Sequence, residues 1–300
     1  MTDTQDNRRS TTIAISGIAV LLALTYAPLL IWLGKVSWQV TQLTNGAVLV
    51  LFAMLVCLRT SLTSIRVEPA ISTHGLALLF LGVFFLWLPH HSNLPPLPLL
   101  ILSFCCSLAA IISFVFGQLG VRQFRPALGG FVVFGLLIGL FPALDWPLRA
   151  IAARRAAEFM QWLGLPIQLH LVLGGPPELM LSLQGHNYIV ATECNGFGLL
   201  TSSLLLATIF GLQYRVSLLK KIGLVILAVP VAIGCNFLRI VSICYSAPRS
   251  PFSYHITHEI LGNIFYFLGL TLVWLTARAA GDRVTSPPAS APATPVADRV

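Results

Sequence analysis

Three side chains late in the chain, Cys194, Arg239 and His258, are of the types needed for covalent attack on a carbonyl. A thiol attacks as its thiolate, a minor form of a free cysteine at neutral pH, so it needs a base. An imidazole can take that proton and later return it to a leaving amine. A guanidinium, permanently charged and rich in donors, can stabilise a thiolate or the oxyanion of a tetrahedral intermediate. The spacing places the three together. Cys194 precedes Arg215 by 21 residues, Arg239 follows Lys221 by 18, and His258 precedes Arg278 by 20. As helices these runs measure about 31, 27 and 30 Å, each near one hydrocarbon thickness. If the basic residues mark one membrane face, all three reactive groups lie at the other. The metal-free arrangement is that of a cysteine peptidase or transpeptidase.

Other candidates fit less well. Cys57, Cys105, Cys106, Cys235 and Cys244 fall within apolar runs, where a thiol is a small packing residue. Cys235 lies one helical turn from Arg239 and is the runner-up nucleophile. Asn195 and Asn236 are candidate substrate-binding residues; Asn236 could orient Arg239 or a substrate backbone, or bond between helices. His258-Glu259-Ile260-Leu261-Gly262 begins like a zinc motif, but glycine stands where the second histidine ligand belongs. No G-x-S-x-G element is present. His90-His91 beside Pro89 is a short outer loop, for which metal binding is the less favoured reading. No metal or other cofactor is expected.

The elements that hold these groups must be membrane helices. Of 300 residues 56% are hydrophobic and only 9% charged, against about 25% in soluble domains. A soluble enzyme, a secreted disulfide scaffold and a disordered chain are excluded together. The net charge of +8 forms no stripe that could follow phosphates, so nucleic acid is not an expected partner. Membrane lipids are.

About eight apolar runs approach the length of about 20 residues that a spanning helix needs. They are Thr11–Gly34, Asn45–Leu58, His74–Leu88, Pro98–Gly117, Leu128–Leu144, Cys194–Tyr214, Ile222–Tyr245 and His258–Ala277. Arg8 and Arg9, Arg59 and Arg66, Arg122 and Arg125, Arg215 with Lys220 and Lys221, and Arg278 with Arg283 fall in every second connection. Positive charge concentrates in cytoplasmic loops, so both termini are expected in the cytoplasm, with Cys194, Arg239 and His258 at the outer face. The first span is too long for a signal-peptide core and is expected to remain as an anchor.

The span map leaves one sizeable outer segment, residues 145–193, within a membrane domain covering 1–284. Pro147–Gly164 sets Leu148, Ile151, Ala152, Phe159, Trp162 and Leu163 near one face, which predicts an amphipathic helix in the interface. Ile167, Leu169, Leu171 and Leu173, then Leu179, Leu181 and Leu183, alternate with period two around Gly174–Pro177. With Gly185–Asn187 and Tyr188–Ala191 they predict a small antiparallel meander leading to Cys194. The Pro, Ala and Ser of residues 285–300 predict a disordered cytoplasmic tail. The fold class is therefore an all-α polytopic membrane protein with a small outer-face helix and β-meander.

Cys194-Asn195-Gly196, Asn236-Phe237-Leu238-Arg239-Ile240, and His258 with Gly262 resemble the exosortase/archaeosortase family over roughly Leu128 to Ala277. The resemblance implies a multi-pass protease, proposed to be a transpeptidase, of the cytoplasmic (inner) membrane. Its partners would be exported proteins whose C-terminal sorting signal (PEP-CTERM-like) joins a short motif, a transmembrane helix and a basic tail. It also implies a triad of Cys194 as nucleophile, Arg239 as thiolate or oxyanion stabiliser and His258 as general acid and base. At Asn195 the family more often has Ser or Ala. A different class, a non-enzymatic transporter or assembly factor for envelope polysaccharide, would call for midplane charges or a broken helix, for which Pro230 with Gly234 is the candidate.

Overall fold

The computed structural model of the chain describes residues 2–64, 70–91, 96–172, 178–183, 185–190, 195–214, 216–249, 251 and 253–281. Among the described residues seven α-helices and a three-stranded sheet follow in the order α1 (Thr2–Gln39), α2 (Thr41–Ser64), α3 (Thr73–Trp87), α4 (Pro96–Trp162), β1 (Ile167–Val172), β2 (Glu178–Leu183), β3 (His186–Ile189), α5 (Phe197–Gln213), α6 (Leu218–Ser246) and α7 (Tyr254–Ala280). Among the described residues five elements, α1, α2, α4, α6 and α7, are long and apolar enough to cross a membrane. Their outward sides carry large apolar residues such as Leu24, Phe52, Ile226 and Phe267, as lipid contact requires.

This count differs from the eight separate spans expected from hydropathy. The 67 residues of α4 would reach about 100 Å if straight, roughly three hydrocarbon thicknesses. They instead reverse at Gly117, whose φ of 66° lies in the left-handed region that glycine enters freely. The two arms then pack against each other. Phe104 meets Phe131, Ile101 closes on Gly135, and Leu97 on Gly139, a pairing that only an antiparallel hairpin produces. A methyl group at Gly135 would stand 2.6 Å from Ile101, so the bare backbone permits the close approach. The fourth and fifth expected spans are thus the two arms of one element. At 15 and 17 residues, α3 and α5 are shorter than a full crossing.

The expected interface helix is not a separate element. Pro147–Trp162 continues the second arm of α4, and its buried face is Ala153, Ala156, Ala157 and Met160 rather than the larger apolar residues. Ile151, Trp162 and Leu163 are exposed instead. The small-residue face receives the sheet, and that contact fixes which way the helix turns. Left-handed Gly164 ends it, with the Leu165 amide donating to the Met160 carbonyl.

The meander forms in the order β1-β2-β3, with Ile167 opposite Leu183, Leu169 opposite Leu181, and Leu181 opposite Tyr188. Residues 173–177 and 191–194 lie outside the described residues. Leu179, Leu181 and Leu183 point inward in strict alternation, against the alanine face of α4 and Ile240 and Cys244 of α6. The sheet therefore sits on the end of α6 that carries Arg239.

Helix α5 is the hub, packed by α2, α4, α6 and α7. A helix enclosed by protein need not match the bilayer thickness. Its hydroxyl residues Thr201, Ser202 and Ser203 are fully buried, which lets neighbours approach closely. α6 runs unbroken through Pro230 and Gly234, without the discontinuity a transporter site would use. The tail at 285–300 lies outside the described residues.

Candidate active site

Helices α6 and α7 run antiparallel and are tied at both ends. At one end the Lys220 ammonium donates to the Ala280 carbonyl at 3.2 Å, a cation on a helix C-terminus. At the other, Arg239 Nη2 lies 3.4 Å from His258 Nε2. The guanidinium can only donate, and the contact sets this permanent cation beside the imidazole ring. The two depth estimates made from Lys221 and Arg278 thus converge on one contact.

Gly262 explains how a guanidinium fits between the helices. A Cβ there would stand 3.0 Å from Arg239 Nη2 and 3.3 Å from both Cζ and Nε. The group lies against the bare backbone of α7, one turn below His258. Beyond His258, rings continue toward the sheet: Tyr254 is 5.9 Å from the imidazole and Tyr188 5.5 Å from Tyr254. Burial raises the Tyr188 pKa above its ordinary value, and the nearby Cys244 adds to the rise while Arg249 opposes it, so the phenol keeps its proton at neutral pH.

The third wall is the start of α5. Gly196 is the N-cap, with φ 78°, and a Cβ on it would stand 2.7 Å from both Cγ and Nδ2 of buried Asn236. Glycine is required twice, for the left-handed backbone and for the contact. Gly196→Ala is expected to cost at least the ~1–2 kcal/mol of a left-handed alanine, visible as a lower thermal midpoint in detergent. It should also displace Asn236 from the site.

Between these walls lies a cavity of about 380 Å³, lined by Asn236, Arg239, His258, Glu259, Asn263 and Tyr266 among others, with Asn45 contributed by α2. His258, Gly262 and Tyr266 recur at four-residue spacing, so one stripe of α7 faces it. Tyr266 donates to Ser202 at 2.7 Å and also bonds Asn45, which gives the cavity a polar end about 12 Å from His258 along the helix. Among the described residues no group of three or more His, Cys, Asp or Glu is arranged to hold a metal ion.

Of the expected site residues, Arg239, His258 and Asn236 line this cavity. Cys194 lies outside the described residues; Gly196, two positions later, is in the wall. Asn195 does not line the cavity. Its Oδ1 accepts from the Phe197 amide at 2.7 Å, capping α5, and its Nδ2 donates to Asp145 Oδ1 at 2.5 Å. Its side chain is committed to structure rather than to a substrate-facing position. Cys235 is not among the lining residues; it packs with Leu199, Ala232 and Leu270. His91 stacks on Trp87 at 4.0 Å. Sequence reasoning missed Asn45, Glu259, Asn263 and Tyr266. The stripe through Gly262 to Tyr266 was legible in spacing, but Asn45 is distant in sequence and reaches the cavity only through the packing of α2 on α5.

A family model described as transmembrane exosortase (Exosortase_EpsH) matches residues 38–275, from the end of α1 to the last turns of α7. No curated protein and no solved structure matches the chain. The matched region contains every wall of the cavity and all the spanning helices except α1. This multi-pass membrane protein belongs to the transmembrane exosortases, a sortase-like enzyme family.

Proposed function

We propose that the protein is a cysteine peptidase, with transpeptidation as its alternative outcome, that cleaves C-terminal sorting signals of exported proteins at the outer face of the cytoplasmic membrane. The observation that carries this reading is the Arg239–His258 contact at 3.4 Å, in a cavity whose wall includes Gly196 two residues after Cys194. A scarce cation beside an imidazole at a helix-bundle rim costs solvation and needs a compensating role.

The steps follow from those groups. His258 takes the Cys194 proton, and the thiolate attacks the scissile carbonyl to form a tetrahedral oxyanion held by Arg239. The C–N bond breaks as His258 returns the proton to the leaving amine, which departs on the C-terminal helix. A thioester remains on Cys194. Water or an acceptor amine then attacks it, releasing the carboxylate or new amide and regenerating the thiol. The pattern of Lys and Arg supports cytoplasmic termini and leaves the basic tail of the substrate on the cytoplasmic side.

Acid quenching of the full-length enzyme with a sorting-signal substrate is expected to trap an acyl adduct on the Cys194 peptide. Hydroxylamine should discharge it, and mass spectrometry should find the C-terminal fragment with a free amine. Cleavage with no hydroxylamine-sensitive adduct on Cys194 would overturn the assignment.

A further inference from the structure

The second arm of α4 carries an ion pair with no evident task in the fold. Asp145 and Arg149, one turn apart, are bonded through Oδ2 and Nη2 and are only 19% and 16% exposed. A pair this sheltered loses much of its solvation and is weak support for stability. Yet its carboxylate reaches the residue after the candidate nucleophile, because Asp145 Oδ1 accepts from Asn195 Nδ2 at 2.5 Å. Asn195 is 3% exposed and its other side-chain atom caps α5 through Phe197. Four groups from two elements therefore form one chain: Arg149, Asp145, Asn195 and the first amide of α5. Cys194 immediately precedes Asn195 in the sequence.

We propose that Asp145 and Arg149 are positioning residues of this active site, an inference that rests on Cys194 being the nucleophile. The carboxylate clamps Asn195 and thereby fixes where the preceding residue presents its side chain. Unpaired, that carboxylate would oppose formation of a thiolate on the residue before Asn195. Arg149 neutralises it, so the clamp holds the backbone without disfavouring the charge that chemistry needs. The same bond accounts for asparagine following the cysteine: serine or alanine there could not both cap α5 and span to Asp145.

The test uses the full chain in detergent with a sorting-signal substrate. Asp145→Ala and Asn195→Ala should each lower kcat by about 10- to 100-fold, the scale of a misplaced reacting group. KM should stay within about twofold, and the double variant should be no worse than the worse single one. Asp145→Asn, which keeps an acceptor for Asn195, should restore most of the loss. Without substrate, Arg149→Gln should slow iodoacetamide alkylation of Cys194 at neutral pH several-fold, while Asp145→Asn should not. Thermal unfolding accompanies every variant; if Asp145→Ala does not fold, the Asp145→Asn, Asn195→Ala and Arg149→Gln comparisons carry the test. Additive losses, a kcat for Asn195→Ala within about twofold of the parent, or unchanged alkylation in Arg149→Gln would each overturn the clamp. A Cys194→Ala arm that still cleaves would instead remove the underlying nucleophile assignment, so the two failures are separable.

Discussion

Cys194→Ala is expected to abolish cleavage of a sorting-signal protein, with a fall in kcat of about six orders of magnitude. The remaining donors would still bind the carbonyl, but no atom would be left to form the thioester. Cys235→Ala supplies the control. That thiol is buried among Leu199, Ala232 and Leu270, and removing its sulfur should cost packing while leaving cleavage near the parent rate. Immunoblotting of a tagged substrate in cells, with purified variants compared for thermal midpoint, checks both results. Unchanged processing by Cys194→Ala, or its loss in a folded Cys235→Ala, would reverse the roles of the two cysteines.

Arg239→Lys is expected to lower kcat by about 10²- to 10³-fold, the usual effect of losing a donor to a developing oxyanion. Charge is kept in this variant, so the loss isolates geometry. A guanidinium presents several donors in one plane, while an ammonium is a compact point charge on a flexible stem. The contact of Arg239 with His258 at 3.4 Å and its seat on Gly262 both depend on that plane. Gly262→Ala should therefore reproduce part of the defect without touching a titratable group, because its methyl carbon would stand 3.0 Å from Nη2. Steady-state kinetics with one substrate would show kcat falling in both variants with KM little changed. An Arg239→Lys enzyme with parental kcat would limit Arg239 to anchoring the helix end.

How much was legible beforehand depended on the range of the interaction. The meander could be read from the alternation of Leu179, Leu181 and Leu183, since side-chain direction in a strand is a local property. The approach of Arg239 to His258 was also legible, although 19 residues separate them. Two antiparallel helices anchored at one basic face must bring residues of equal depth to the same level. By contrast, hydropathy separated the two arms of α4 but cannot show that a single glycine, Gly117, makes the reversal between them. Nor could it assign the face of Pro147–Trp162. Apolar bulk favoured Ile151 and Trp162, but the sheet required close approach, and the alanines won.

The site divides along the same line. Sequence alone determined the membrane class, the family motifs and the three reactive side-chain types, because composition, helical rise and residue chemistry need no partner. Only the tertiary structure decided that Asn195 faces Asp145 rather than the cavity, that Gly262 seats the Arg239 guanidinium, and that Asn45 of α2 meets Tyr266 of α7. Those contacts join residues tens to hundreds of positions apart. They depend on which small residue allows two helices to close, which a one-dimensional pattern of hydropathy does not encode.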